Sequence, residues 1–281
     1  MIIFIADFFV EHILGGGELN NEECIKLLEK EGCTVQKFQS QLITPAFINQ
    51  NKTAKFIIAN FINLHPACKA ALEERDYVIY EHDHKYLKSR NPAVYPDFKA
   101  PSSELINLDF YQNAIAVLCQ SQFHRDIIER NTGLTNLINL SGNLWPEDVL
   151  TIIREIAIRP KQKKYSIINS PILHKNTRDA VLYCETQNLE YELVSNNIYE
   201  DFLRALGANE KFIFLPKTPE TLSRIAVEAK MMNMSLIINK MLGASREPWF
   251  KFKGEELIDA VYEMRKRIPN TIMEVLGCDS T

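Results

Sequence analysis

Ten short apolar runs separated by amphipathic stretches leave this chain few folds to choose from. In the first half the runs are "IIFIA", "TVQKF", "KFIIAN", "YVIYE", "AIAVLC" and "NLINL". In the second half they are "YSIIN", "YELVS", "KFIFLP" and "SLIIN". Helical patterns lie between them at 18–31, 121–131, 147–158, 175–187 and 219–232. Strand candidates that alternate with helix candidates in this way imply an α/β architecture, with parallel sheets covered by helices on both faces.

The alternation restarts once. The stretch "SGNLWPEDVLTIIREIAIRPKQKKY" combines a turn, a helix and a basic, proline-containing linker before a new strand. The 281 residues therefore divide into two doubly wound domains, 1–145 and 146–281, each of ordinary size. The last helix is expected to pack back on the first domain. Neither half contains G-x-G-x-x-G or G-x-x-x-x-G-K-[ST], so a dinucleotide or P-loop site is unsupported. Ligands of open parallel sheets sit beyond the carboxyl ends of the strands. Two such domains facing each other would form a central cleft, and chemistry is to be sought just after the strands.

Composition removes several classes. A net charge of -4 leaves no footprint for nucleic acid. The basic clusters "RPKQKKY" and "MRKR" are short and read as solvated surface. The opening "MIIFIADFFVEHIL" carries Asp7, Glu11 and His12 and has no basic start, unlike a signal peptide. No uncharged run approaches the length of a transmembrane helix, although peripheral membrane contact stays compatible with the sequence. The six cysteines are scattered without a C-x-x-C pair, which argues against zinc or a disulfide framework. Reduced thiols in a cytoplasmic protein are the expectation.

Four strand ends carry candidate site residues. After the first strand, Gly15, Gly16 and Gly17 precede a helix, a junction that leaves backbone N–H groups close to any anion or sugar. A merely flexible loop is the other reading. After "YVIYE" come His82, Asp83 and His84. If the strand continues, the histidines point one way and Glu81 and Asp83 the other. Two histidines without a third ligand make poor support for a metal, and no D-x-D occurs. In the second half Ser170, His174 and Lys175 follow a strand at the start of a helix, and Ser195 opens the polar turn "SNN". A lysine there opposes the helix dipole unless an anion binds between them.

The stretch "TPETLSRIAVEAKMMNMSLIIN" poses the sharpest question. Thr218 could cap a helix with Pro219 in its first position, which places Glu220 at the positive end of the dipole. Glu228, two turns on and between Val227 and Ala229, is not explained in that way. If the helix begins near Leu222 instead, Glu220 lies in a loop folded over its N-terminus. An ionised carboxylate on an apolar face needs a partner, supplied by the protein or by a polar ligand such as a ribose.

Taken together these features resemble the retaining glycosyltransferases of the two-domain GT-B class, particularly glycosyltransferase family 4. Glu220 and Glu228 match the family's E-x(7)-E motif. "LGGGELNNEECIKLLEKEGCTV" looks like its glycine loop and first helix, and "AIAVLCQSQFHRDIIER" like its strand-serine-helix segment. The likeness runs from about residue 2 to 260 and implies two Rossmann-like domains, the first on the acceptor side and the second on the side of a nucleotide-sugar donor.

By position, the resemblance gives Glu228 the donor's ribose, Glu220 the transferred sugar and Lys175 the diphosphate. Leu222, Ser223 and Arg224 would meet sugar and phosphate through their backbone, with Arg224 a further positive charge. Gly16 and Gly17 would approach the reacting centre, and His82 would lie beside the donor sugar. Ser170, His174 and Ser195 complete the expected donor site. The implied reaction is metal-independent hexosyl transfer with retention and no cofactor, to a saccharide, lipid-linked or protein acceptor. The chain lacks the family's arginine before Lys175 and has Asn176 and Ser223 where glycines are usual. Two alternatives follow: a non-catalytic nucleotide-sugar-binding or assembly subunit, and a nucleotide-sugar epimerase of the same fold.

Overall fold

All ten apolar runs contain strands, and every strand pair is parallel. The computed structural model describes residues 1–278, which form two compact units. One comprises Met1–Leu144 and the stretch from Met264 onward; the other is Trp145–Glu263.

In the first unit the chain runs β1 (Ile2–Ala6), α1 (Gly16–Lys30), β2 (Val35–Gln39), α2 (Pro45–Gln50), β3 (Lys55–Ile58), α3 (Pro66–Leu72) and β4 (Tyr77–Tyr80). It continues through α4 (Leu108–Gln112), β5 (Ala116–Cys119), α5 (Gln122–Thr132) and β6 (Leu137–Asn139). The sheet order is β2-β1-β3-β4-β5-β6. Ile3, Ile5, Phe56, Ile58, Ile79 and Val117 build one core, and the opposite-facing Ile2, Phe4, Ile57, Val78 and Leu118 are just as buried. Helices therefore cover both faces, the arrangement in which parallel strands read as unbroken apolar runs. Each of these side chains contributes about 1.5–3 kcal/mol on burial.

The second unit holds α6 (Glu147–Ala157), β7 (Gln162–Ile168), α7 (Thr177–Thr186), β8 (Tyr191–Val194), α8 (Tyr199–Leu206), β9 (Asn209–Phe214), α9 (Arg224–Met231) and β10 (Ser235–Ile238). Its order is β10-β9-β7-β8, around a smaller core of Tyr165, Ile167, Ala180, Cys184 and Ile213. The last helix, α10 (Glu255–Leu276), belongs to the first unit from Met264 onward. There Arg265 pairs with Glu23 on α1 at 2.5 Å. Among the described residues no helix is long and apolar enough to cross a membrane.

Two open alternatives are decided and one placement is corrected. Thr218 caps no helix, because α9 begins only at Arg224. Instead Glu220 forms a parallel bridge to Leu242, with Glu220 N–H donating to Met241 O and Gly243 N–H to Glu220 O. Lys175 lies not on α7 but in the short 3-10 turn Leu173–Lys175 before it, separated from the helix by left-handed Asn176. Strand β4 stops at Tyr80, so residues 81–84 do not alternate across a sheet. The buried Glu81 carboxylate accepts from the N–H groups of His82 and Asp83 and turns the chain there.

Each sheet has one place where strand order reverses. In the first unit it lies between β1 and β3, in the second between β7 and β9. Beyond the carboxyl ends of such strand pairs the two loops diverge and leave room for a ligand.

Candidate functional site

In the second unit the loops that leave β7 and β9 are tied together. Lys217 N–H donates to His174 O at 2.8 Å, and Asn176 Nδ2 to Leu215 O at 2.7 Å. Lys175 and Glu220 meet there: Nζ lies 2.8 Å from Oε1 and 3.1 Å from Oε2, and 5.7 Å from the centre of the Phe214 ring. The lysine side chain is 28% exposed and the glutamate 13%. A partly solvated pair of this kind is worth about 1 kcal/mol or less. An incoming anion can therefore take over the ammonium at small cost.

Glu228 is the opposite case, only 2% exposed. Its Oε1 accepts from Trp145 Nε1 at 2.8 Å and from the Tyr199 hydroxyl at 2.6 Å. Arg224 Nε stands 3.7 Å from the same oxygen, with its guanidinium 4.3 Å from the Trp145 ring. Burial, and next the Glu228 charge, push the Tyr199 phenol above its usual range, so it remains a donor at neutral pH. The carboxylate left unexplained by the sequence thus has protein partners.

Ser223 enters α9 in the left-handed region (φ 79°), and among the described residues its buried Oγ has no hydrogen-bond partner. Leu222 is fully buried, and its carbonyl accepts from Ala244 N–H at 2.9 Å. Ser170 is spent on its own loop: Oγ accepts from Ile172 N–H, and its N–H donates to Thr177 Oγ1, each at 3.2 Å. Ser195 is exposed in the turn after β8, where Asn196 Oδ1 accepts from Ile198 N–H. Neither serine hydrogen-bonds to the Lys175–Glu220 pair.

In the first unit Gly15 caps α1, and Gly16 and Gly17 form its first turn. A Cβ on Gly17 would lie 3.6 Å from His82 Cγ and 3.9 Å from Asn60 Nδ2, so the glycine loop and His82 do come together. The His82 ring is held on both sides. Its Nε2 pairs with Asn21 Oδ1 at 2.6 Å and its Nδ1 with Gln120 Nε2. With the amides oriented in this way, the neutral tautomer protonated at Nε2 is the one that satisfies both bonds. Such a ring is fixed in place.

Around it lies a charged cluster. Lys85, 2% exposed, donates to Glu81 and to Asp83 Oδ1 at 3.1 Å, and Tyr111 donates to Glu81. Burial raises the Glu81 carboxyl above its ordinary range. Burial also opposes the charge on Asp83, but Lys85 and Arg90 outweigh it and bring that carboxyl down to about 2. Among the described residues no group of three or more His, Cys, Asp or Glu is placed to hold a metal ion.

Several members of these sites carry no sequence signal. Trp145 and Tyr199 reach Glu228 from 83 and 29 residues away. Gln120 follows β5 directly and Asn60 lies two residues past β3, and the strand-end rule alone could have marked them.

No protein-family model matches the chain, and no curated protein matches it by sequence. Solved structures do resemble it. Anabaena HepE in complex with UDP and glucose superposes with a TM-score of 0.56 at 14% identity, over 99% of this chain and 93% of that one. An alpha-glucosyltransferase in complex with UDP and a 13-mer DNA gives 0.50 at 11% identity, over 96% and 90%. A glycosyltransferase from Rickettsia africae gives 0.50 at 13% identity, over 100% and 94%. The chain has the fold these structures share, the GT-B arrangement of two parallel-sheet, Rossmann-like units.

Proposed function

We propose that this chain is a glycosyltransferase that moves a hexose from a nucleoside diphosphate donor to an acceptor hydroxyl with retention of configuration. The observation that carries the reading is the Lys175–Glu220 pair at the strand-order reversal of the second sheet. Its support is the fold, which HepE and the alpha-glucosyltransferase use in complexes with UDP.

In this reading the second unit binds the donor. Lys175 leaves Glu220 for the diphosphate and stabilises the charge that grows as the sugar–phosphate bond breaks, a role that often dominates catalysis. Arg224 and the N-terminal end of α9 add fixed positive potential. Glu220, released from the lysine, takes the hydroxyls of the transferred sugar, and Glu228 takes the ribose. Gly16 and Gly17 let the acceptor approach, and His82 fixes the wall beside them. The acceptor is a saccharide, lipid-linked or protein hydroxyl rather than nucleic acid, whose phosphates a chain of net charge -4 would repel. The six free cysteines accord with a reducing, cytoplasmic setting.

A second reading, a non-catalytic nucleotide-sugar-binding subunit, is motivated by the donor loop itself, which has no arginine shortly before Lys175 and holds left-handed Asn176 where a glycine is usual. Donor turnover separates the two. The full chain is incubated with UDP-, GDP-, ADP- and dTDP-hexoses and an acceptor panel, and nucleoside diphosphate release is followed. Release above the enzyme-free rate, abolished in Lys175→Met, is expected. Tight binding without transfer or donor hydrolysis would establish the second reading.

A further inference from the structure

A carboxylate as buried as Glu228 is a poor way to stabilise a fold, because apolar side chains of similar volume do as well or better. Four polar side chains nevertheless converge here. Trp145 Nε1 and the Tyr199 hydroxyl donate to the same oxygen, Oε1, at 2.8 and 2.6 Å, and Arg224 Nε stands 3.7 Å from it. The three donors come from separate places: Trp145 precedes α6, Tyr199 opens α8, and Arg224 opens α9. Two directed hydrogen bonds on one oxygen fix both the rotamer of a glutamate and the plane of its carboxylate. One bond would leave it free to turn about that contact.

We infer that Trp145 and Tyr199 are positioning residues that set the sugar specificity of the nucleotide site, by holding Glu228 so that Oε2 accepts from the ribose hydroxyls. This rests on the donor-site reading above and deepens it. The ligand class it selects is a ribonucleotide over its 2′-deoxy counterpart. A carboxylate oxygen fixed in place rewards a hydroxyl at one position and leaves the site short of a donor when that hydroxyl is missing. A carboxylate free to swing would adjust to either sugar and discriminate less. Each side chain supplies one bond, so removing one donor loosens the carboxylate without emptying the site. The phenol of Tyr199 can be deleted alone as Tyr199→Phe, and the indole N–H as Trp145→Phe, which keeps a ring under the Arg224 guanidinium.

The test measures dissociation constants of UDP and 2′-deoxy-UDP by calorimetry on the full chain, for wild type, Tyr199→Phe and Trp145→Phe, with thermal unfolding as a check on folding. Wild type is expected to prefer UDP about tenfold or more, the size of a lost hydrogen bond to a charged group. Tyr199→Phe should reduce that ratio several-fold, chiefly by weakening UDP. A purely structural role would lower the melting temperature and leave the ratio of the folded protein unchanged, and that outcome overturns the inference alone. Trp145→Phe gives the same ratio readout if the tyrosine variant does not fold. Wild type that binds UDP without preferring it over the deoxy form removes the ribose role of Glu228. Where GDP or ADP binds in place of UDP, the same comparison is made with that nucleotide and its 2′-deoxy form. Binding of dTDP alone, itself a 2′-deoxy nucleotide, overturns this inference. If none of the four binds, the donor-site reading falls and this inference with it.

Discussion

Lys175 and Glu220, 45 residues apart in the chain, share two contacts of 2.8 and 3.1 Å across the loops that leave β7 and β9. The pair links the two loops, with the ammonium held on the carboxylate. Removing the carboxylate should therefore release the lysine. Glu220→Gln is expected to keep or modestly raise affinity for UDP while transfer falls at least tenfold. Lys175→Met should lose both, by about ten- to a hundredfold in affinity for one charge-assisted contact. Calorimetry beside a transfer assay decides it, and an equal loss of UDP affinity in both variants would sink this account of the pair.

Glu228 should behave differently in kind. Glu228→Gln keeps the shape but loses the charge, and should weaken UDP by about tenfold. Glu228→Ala leaves Trp145 Nε1 and Arg224 facing a gap in a buried cluster, and breaking such a pair costs about 3 kcal/mol or more. Urea denaturation should show that loss in the alanine variant, with glutamine intermediate. An alanine variant as stable as wild type would mean that the cluster holds nothing together.

Ser223 is strained twice over. A φ of 79° is unfavourable for any residue with a Cβ, and its buried hydroxyl has no partner among the described residues. Ser223→Gly removes both penalties. It should stabilise the folded chain by about 1 kcal/mol, less the extra backbone entropy that glycine brings to the unfolded state. A lower midpoint in the glycine variant would contradict it.

The difference between what the sequence disclosed and what it hid follows from the range of the interactions. The central strands of the first sheet were legible because both its faces are covered there, so runs such as Ile2–Ala6 are apolar throughout. The start of α9 was legible only as one of two readings, the one that begins near Leu222 and leaves Glu220 in a loop. Thr218 and Pro219 are a sound local helix signal, and it loses to pairing with Leu242, a contact that no window around residue 220 contains. The end of β4 was hidden for a similar reason, since Glu81 turns the chain through hydrogen bonds that its position in the sequence does not announce. Lys175 and Glu220 were found as separate candidates, while the partners of Glu228 depend on how three helices begin.

Acid should weaken the first unit. His84 and His124 are buried edge to face, 5.2 Å apart. Burial holds His84 well below its usual range and brings His124 to about 4, against 6.5 when unperturbed. Between those values the unfolded chain binds more protons than the folded one, so stability rises with pH. The contribution is complete above pH 6.5 and is lost as pH falls toward 4, on the order of 3 kcal/mol for His124. Urea midpoints at pH 7.5, 6 and 5 should fall in that order, and less steeply in His124→Gln. An identical slope in the variant would assign the acid sensitivity elsewhere.

Transfer, finally, should not need a divalent metal. The charge that develops on a departing diphosphate is met in two ways, by a magnesium or manganese ion on one or two carboxylates, or by fixed cations and helix N-termini. The densest carboxylate cluster near a strand end is Glu81 with Asp83, and Lys85 already pairs with both from a buried position. A metal there would have to displace an ammonium held on two sides. The second unit offers the other solution in place: Lys175 in a partly solvated pair, and Arg224 at the first residue of α9. Metal-stripped protein in excess EDTA is therefore expected to keep its transfer rate within about twofold, a barrier change under about 0.5 kcal/mol. Activity lost to the chelator and restored by manganese would reverse this account and make Glu81 and Asp83 the first residues to mutate.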